Sequence, residues 1–199
     1  KACKKTGSKM VYISTDYVFD GQGTTPWTPD CKDYKPLNVY GQSKLDGELA
    51  VSSTLDNYFI VRIAWVFGKN GKNFIKTMLN VAKTHSTLKV VNDQIGTPTY
   101  AKDLAVAIYA AINQGIIPGI YHFSDEGVCS WYDFTVAIHR IAGITTCKVS
   151  PLHTDEYPAK APRPHYSVLD KTKIKNTFGI HIPHWEESLK VCIDKLNAQ

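Results

Sequence analysis

Long apolar runs are missing from this sequence. The longest, Leu104–Ile112, falls well short of the roughly 18 residues needed to cross a bilayer, so no membrane span is expected. The N-terminal stretch Lys1-Ala2-Cys3-Lys4-Lys5 has none of the apolar character of a secretory leader. Cysteine is sparse. Cys3, Cys31, Cys129, Cys147 and Cys192 make five, an odd number, and none forms a Cys-x-x-Cys pair. That excludes a disulfide framework and a zinc knuckle and fits reduced thiols. A cytoplasmic location is expected. Arginine is rarer still: Arg62, Arg140 and Arg163 only. The net charge of +5 therefore rests on scattered lysines. Nucleic-acid binding needs a concentrated basic stripe, and none is present; attraction of an anionic small molecule is compatible with the charge. Seven histidines are dispersed, and Pro183 breaks any helical spacing between the nearest two, His181 and His184, so no metal site is expected.

A further absence bears on function. A dinucleotide-binding sheet opens with a strand, a Gly-x-Gly-x-x-Gly turn and a helix. No such turn occurs here. Gly21-Gln22-Gly23 lacks a third glycine and a following helix, and Gly68-Lys69-Asn70-Gly71 lacks the spacing of a phosphate loop. Both read as ordinary turns.

What is present is a foldable chain. Its 199 residues are 43% hydrophobic and 21% charged, which excludes disorder and suffices for a real core. Lys9–Ser14 is a β-branched run and reads as a buried strand; a Gly- and Pro-containing loop follows. The pattern is helical from about 37 to 55, and Tyr58–Val66 reads as one long buried strand. Helices are expected at Asn73–Thr84, Ala101–Asn113, Ser130–Ala142 and Trp185–Asn197, and strands at Leu88–Val91, Gly119–Phe123 and Lys148–Leu152. His153–Tyr166, with Pro158, Pro162 and Pro164, should be irregular. The alternation predicts an α/β fold: part of a Rossmann-type, doubly wound parallel sheet, plus a smaller C-terminal substrate-binding lobe. Residues 1–66 and 101–124 are assigned to the sheet, and 67–100 and 125–199 to the lobe.

The most informative segment is Tyr40-Gly41-Gln42-Ser43-Lys44. Tyr40 and Lys44 lie four apart on a predicted helix and so share a face. Alone, such a pair is an ordinary surface tyrosine packed on a lysine stem. Upstream, however, Ser14-Thr15-Asp16 ends the first strand, and open α/β sheets bind ligands beyond their strands' carboxyl ends. A hydroxyl at a strand tip and a Tyr/Lys pair on the next helix suit carbonyl reduction, which needs a proton donor at the oxygen as hydride reaches the carbon. A free phenol, with a reference pKa of about 10, is a poor donor near neutrality. An ammonium about 4 Å away favours a phenolate by about 4 kcal/mol at an effective dielectric near 20, partly offset by desolvation.

Val11-Tyr12-Ile13-Ser14-Thr15-Asp16-Tyr17-Val18-Phe19-Asp20-Gly21, Pro36–Lys44 and Gly47-Glu48 together resemble the extended short-chain dehydrogenase/reductases. Within them the sequence is most similar to the dTDP-4-dehydrorhamnose reductase family. Arg62–Gly68, Asn73-Phe74, Asn92–Thr99, Asp103-Leu104-Ala105 and Arg163-Pro164-x-x-Ser167-x-Leu169 extend the resemblance, in order, over nearly the whole chain. The resemblance implies reduction of the 4-keto group of dTDP-4-dehydro-6-deoxy-L-mannose to dTDP-L-rhamnose with NADPH or NADH. Tyr40 would be the proton donor, Lys44 its activating cation and a ligand of the nicotinamide ribose, and Thr15 the third catalytic hydroxyl. Ser14 would join Tyr40 and Lys44 in binding cofactor. Thr15, Asp16, Tyr17 and Trp65 would line the sugar pocket; Asn73 and Arg163 would serve the nucleotide end, Arg163 at the pyrophosphate. Structural alternatives stay open: Trp65 as a core residue, Arg163 as a solvated loop arginine.

The resemblance also implies a Gly-rich cofactor turn about ninety residues ahead of Val11. The chain is therefore expected to match the C-terminal two-thirds of such a reductase, to bind NAD(P)H poorly by itself, and to self-associate or form a homodimer. Two other functions compete. A related dehydratase or epimerase is disfavoured because Tyr17, not a glutamate, follows Asp16; a non-catalytic binding homologue is disfavoured because Thr15, Tyr40 and Lys44 are all present.

Overall fold

The computed structural model describes residues 1–159 and 161–198. Lys160 and Gln199, assigned to the second lobe on sequence, lie outside the described residues. In chain order the elements are α1 (Ala2–Thr6), β1 (Met10–Thr15), α2 (Val39–Ser52), β2 (Tyr58–Ile63), β3 (Val66–Phe67), α3 (Phe74–Val81), β4 (Thr87–Val91), β5 (Ile95–Gly96), β6 (Thr99–Tyr100), α4 (Ala101–Asn113), β7 (Gly119–Phe123), β8 (Cys129–Ser130), α5 (Trp131–Ile141), β9 (Lys148–Leu152), α6 (Thr172–Phe178) and α7 (Trp185–Asn197).

The centre is a parallel sheet of three strands in the order β1-β2-β7. Its register places Ser14, Arg62 and His122 side by side across the strands. Residues alternate faces along a strand. Phe59, Val61, Tyr121 and Phe123 therefore share the opposite face, where they pack on Leu104, Ala107 and Ala111 of α4 and Ile174 and Phe178 of α6. With α2 against β1 and β2 on the other side, the sheet is covered on both faces, as its near-continuous apolar strands require. Residues 172–178 thus pack on the sheet rather than with the lobe to which 125–199 were assigned. The second lobe builds on the parallel pair β4-β9, backed by α3, α5 and α7 through Ile75, Met78, Phe134, Ile138, Leu189 and Ile193. Pro151 is tolerated in β9 because that strand pairs with β4 alone.

The expected strand Tyr58–Val66 is interrupted. It stops at Ile63, and a separate β3 starts at Val66. Between them Trp65 takes φ 49°, a left-handed conformation that costs a bulky residue about 1–3 kcal/mol. The Thr99 amide donates to the Trp65 carbonyl at 3.2 Å, and the Thr99 hydroxyl donates to the Ala64 carbonyl. The chain thereby leaves the main sheet and pairs β3 with β6, turning the backbone into the second lobe. Among the described residues no helix is long and apolar enough to cross a membrane.

Candidate active site at the carboxyl end of the sheet

Strand β1 ends where its own side chains bend the backbone. Thr15 is buried, its Oγ1 accepts from the Tyr17 amide at 3.3 Å, and Asp16–Val18 close into a single 3₁₀ turn. The Thr15 hydroxyl donates to Asp16 Oδ1 at 2.9 Å. Asp16 is itself buried, with the Ser167 hydroxyl beside it and Oδ2 without a partner. Burial pushes its carboxyl up to about 7; the Thr15 bond, the local amides and the nearby Ser167 hydroxyl act in the opposite sense and do not outweigh it.

Helix α2 brings the Tyr/Lys pair to this tip. Asn38 starts the helix, accepting from the Gly41 amide at 2.9 Å. Gly41 sits against the Tyr17 carbonyl so closely that a Cβ would collide with it, so the helix approaches the turn backbone to backbone. The Lys44 ammonium donates to the Ile13 carbonyl at 2.6 Å and lies 4.7 Å from the centre of the Tyr12 ring. Tyr40 is 53% exposed, and its ring meets Tyr17 edge-on at 5.6 Å. Burial and the neighbouring Asp16 raise the Tyr17 phenol, while the Arg163 guanidinium acts in the opposite sense.

Arg163 connects two cavities. One, of about 500 Å³, is lined by Tyr17, Asn38, Tyr157, Pro162 and Arg163. The other, of about 190 Å³, is mostly apolar and is lined by Phe74, Leu88, Val91, Trp131, Tyr157 and Arg163 among others. The guanidinium therefore stands between an open polar cleft beside Tyr17 and an aromatic slot in the second lobe. That suits an elongated ligand with a polar end, an anionic middle and a flat apolar end.

The structure thus brings Thr15, Asp16, Tyr17, Tyr40, Lys44 and Arg163 to one region. Three expected site residues sit differently. Ser14 turns its hydroxyl to Glu48, beneath α2. Asn73 is occupied as the cap of α3: Oδ1 accepts from the Lys76 amide at 3.2 Å and Nδ2 donates to the Gly68 carbonyl at 2.7 Å. It lines a separate cavity with Lys69, Lys72, Lys102 and Lys195, not either of Arg163's cavities. Trp65 is half-buried and stacks on Trp131 at 3.6 Å, so it backs the aromatic slot from behind. Sequence reasoning assigned no site role to Trp131, Phe74 or Tyr157; Phe74 appeared only within the Asn73-Phe74 resemblance, and the signal of the other two was aromatic character at the start of a helix or in a Pro-rich loop. Among the described residues no group of three or more His, Cys, Asp or Glu is arranged to hold a metal.

A nicotinamide cofactor can be tested against these residues. At the carboxyl end of β1, a half-exposed phenol, an ammonium fixed on the strand backbone and a buried hydroxyl offer donors that fit a nicotinamide and its ribose. The 199 residues contain no Gly-rich turn for a pyrophosphate.

A parallel sheet wrapped on both faces, with Tyr-x-x-x-Lys on a helix docked at a strand tip bearing a buried threonine, defines an extended short-chain dehydrogenase/reductase. More narrowly, the chain belongs to the RmlD substrate binding domain family, whose model matches residues 1–198. It is 46% identical over 186 residues to the spore coat polysaccharide biosynthesis protein SpsK of Bacillus subtilis, covering 94% of this chain and 64% of that protein. A solved dTDP-4-dehydrorhamnose reductase from Clostridium acetobutylicum is 46% identical, with a TM-score of 0.94 over 98% of this chain and 69% of its own. The dTDP-4-dehydrorhamnose reductase of Bacillus anthracis, solved in complex with NADP, is 40% identical with a TM-score of 0.92, covering 98% and 68%. The chain thus spans about two thirds of the length of these relatives.

Proposed function

We propose that the protein reduces the 4-keto group of dTDP-4-dehydrorhamnose to give dTDP-L-rhamnose, with NADPH or NADH as reductant. The observation that carries this reading is the docking of the Tyr40–Lys44 pair on the tip of β1, at the edge of the cleft that Tyr17 and Arg163 line. The similarity to reductases of that name, one of them solved with NADP, supports the substrate and the cofactor.

The cofactor, when bound, supplies the hydride. The chain's own residues do the rest. Tyr40 gives its hydroxyl proton to the carbonyl oxygen as charge grows there. Lys44, anchored on the Ile13 carbonyl, holds a positive charge beside it. Thr15 turns its hydroxyl hydrogen from Asp16 to the same oxygen. Asp16, with a free Oδ2, takes up a sugar hydroxyl. Arg163 pairs with the pyrophosphate between the two cavities, and the Trp131–Phe74 slot receives the base. The test is calorimetric titration with dTDP and dTDP-L-rhamnose. Binding of both, lost in competition with each other, is expected; no binding of either overturns the substrate assignment.

A further inference from the structure

Helix α2 carries Tyr40 and Lys44, yet little apolar surface holds it down. Its buried residues are Gly41, Leu45, Glu48 and Val51, so a carboxylate occupies a core position one turn beyond Lys44. Glu48 is 2% exposed and Arg62 fully buried. The pair is bidentate: Glu48 Oε1 accepts from Arg62 Nε at 2.9 Å and Oε2 from an Arg62 terminal nitrogen at 2.7 Å. Oε1 also accepts from the Ser14 hydroxyl, one residue before Thr15.

Arg62 is held in turn. The terminal nitrogen that bonds Glu48 also donates to the Tyr34 hydroxyl at 3.0 Å, the other donates to the Pro29 carbonyl at 3.5 Å, and the guanidinium lies 5.1 Å from the centres of the Phe19 and Tyr34 rings. His122, next in the row, is kept neutral: burial first and Arg62 second push it down to about 3. It adds no second positive charge. Helix α2, all three central strands and the segment 19–34 therefore meet at one buried ion pair, Glu48–Arg62.

Apolar contacts let a helix slide or roll by fractions of an ångström, whereas a bidentate ion pair fixes direction as well as distance. For stability alone a buried pair is often no better than well-packed hydrophobic residues. Tyr40, Lys44 and Glu48 follow at intervals of four along one stripe of the helix, so rotation at Glu48 is rotation at Tyr40.

We propose that Glu48 is a positioning residue for Tyr40 and Lys44: its ion pair with Arg62 and its bond from Ser14 set the height and rotation of α2 over the tip of β1, and hence the place of the Tyr40 phenol relative to Thr15. The catalytic part of this inference rests on the reductase reading; the placement of the helix does not.

The experiment compares the unaltered protein with Glu48→Asp, which keeps the charge but shortens the reach. Two readouts are taken: ring resonances of 13C-labelled tyrosine, and steady-state reduction on the natural polypeptide with whatever residues flank these 199 retained. The Tyr40 and Tyr17 resonances should move, because their edge-on contact changes, while those of the remote Tyr109 and Tyr132 stay. The rate constant kcat should fall about 10- to 100-fold with KM within about twofold. If Glu48→Asp does not fold, Glu48→Gln with Arg62→Met, which removes both charges, is measured the same way with the same expectation. Unmoved Tyr40 and Tyr17 resonances with unchanged kcat, beside a lowered melting temperature, overturn the proposal: the pair is then structural only. Absence of turnover by the unaltered protein counts against the reductase reading and leaves the resonances to decide the placement of α2.

Discussion

Asp16, buried at the tip of β1 in the proposed site, makes stability depend on pH. Its folded value of about 7 lies above the ordinary carboxyl range, because burial penalises the charge. Between about pH 4 and pH 7 the native state thus holds a proton that the unfolded chain has released, and stability falls as pH rises through that window. Asp125, pushed up to about 7 mainly by burial, contributes with the same sign. Asp16→Asn removes one of the two contributions. Measured by urea unfolding, the variant should gain on the parent by about 2–3 kcal/mol between pH 5 and pH 8, at about 1.4 kcal/mol per pH unit; an equal difference at both pH values contradicts the assignment. Arg163 poses the opposite case. It is exposed, so Arg163→Met should leave the melting temperature nearly unchanged. If it pairs with a pyrophosphate, losing charge-assisted bonds of about 1.5–3 kcal/mol should weaken dTDP binding by about 10- to 100-fold.

At the scale of elements, α2 is seated by close approach more than by apolar burial, and its glycines make this testable. A Cβ on Gly41 would meet the Tyr17 backbone carbonyl, which cannot move without unmaking the turn after β1. A Cβ on Gly47 would meet only the tip of the Tyr12 side chain. Gly41→Ala should therefore destabilise by about 1–3 kcal/mol as an overpacked contact. Gly47→Ala should be near neutral, since a swing of Tyr12 is offset by the helix propensity of alanine, about 1 kcal/mol better than glycine. Equal effects in thermal melts would show that α2 is not docked on the turn. The same elements show what was legible in the sequence. Ala101–Asn113 and Gly119–Phe123 fall where the sequence placed them, because each has a clean apolar pattern between polar or glycine boundaries; Lys148–Leu152 also forms the expected strand, although Ser150 and Pro151 leave it little apolar pattern. The Tyr58–Val66 run misled because apolar character does not report a kink: Trp65 is held at positive φ by Thr99, more than thirty residues on. The short strands β5, β6 and β8 were equally hidden, since two-residue pairings leave no period. For the site, a strand-tip hydroxyl and the i,i+4 pair could be seen as neighbours, but Glu48 entered only through the Gly47-Glu48 resemblance, since nothing local in the sequence reports that Arg62, on another element, lies beneath it.

At the largest scale, the described residues form a sheet-bearing part and a smaller lobe that meet at a cleft, and the proposed function draws on both. The sheet side supplies Thr15, Tyr40 and Lys44; the Pro-rich loop supplies Tyr157 and Arg163, and the lobe Phe74 and Trp131. These 199 residues taken alone should bind a dTDP-sugar but bind NADPH only weakly, because backbone amides of a Gly-rich turn normally carry the pyrophosphate and no such turn occurs in them. Micromolar NADPH affinity in calorimetry would contradict that expectation. The central claim, that Tyr40 protonates a keto-sugar at the tip of β1, has a more direct test. NADPH oxidation is followed on the natural polypeptide with dTDP-4-dehydrorhamnose, for the parent and for Tyr40→Phe, with dTDP-L-rhamnose identified as product. Tyr40→Phe should lower kcat by about 100-fold or more while dTDP-L-rhamnose binding stays within a few-fold, since general acid catalysis contributes about 10²–10⁴. Turnover by Tyr40→Phe at the parent rate would contradict the account.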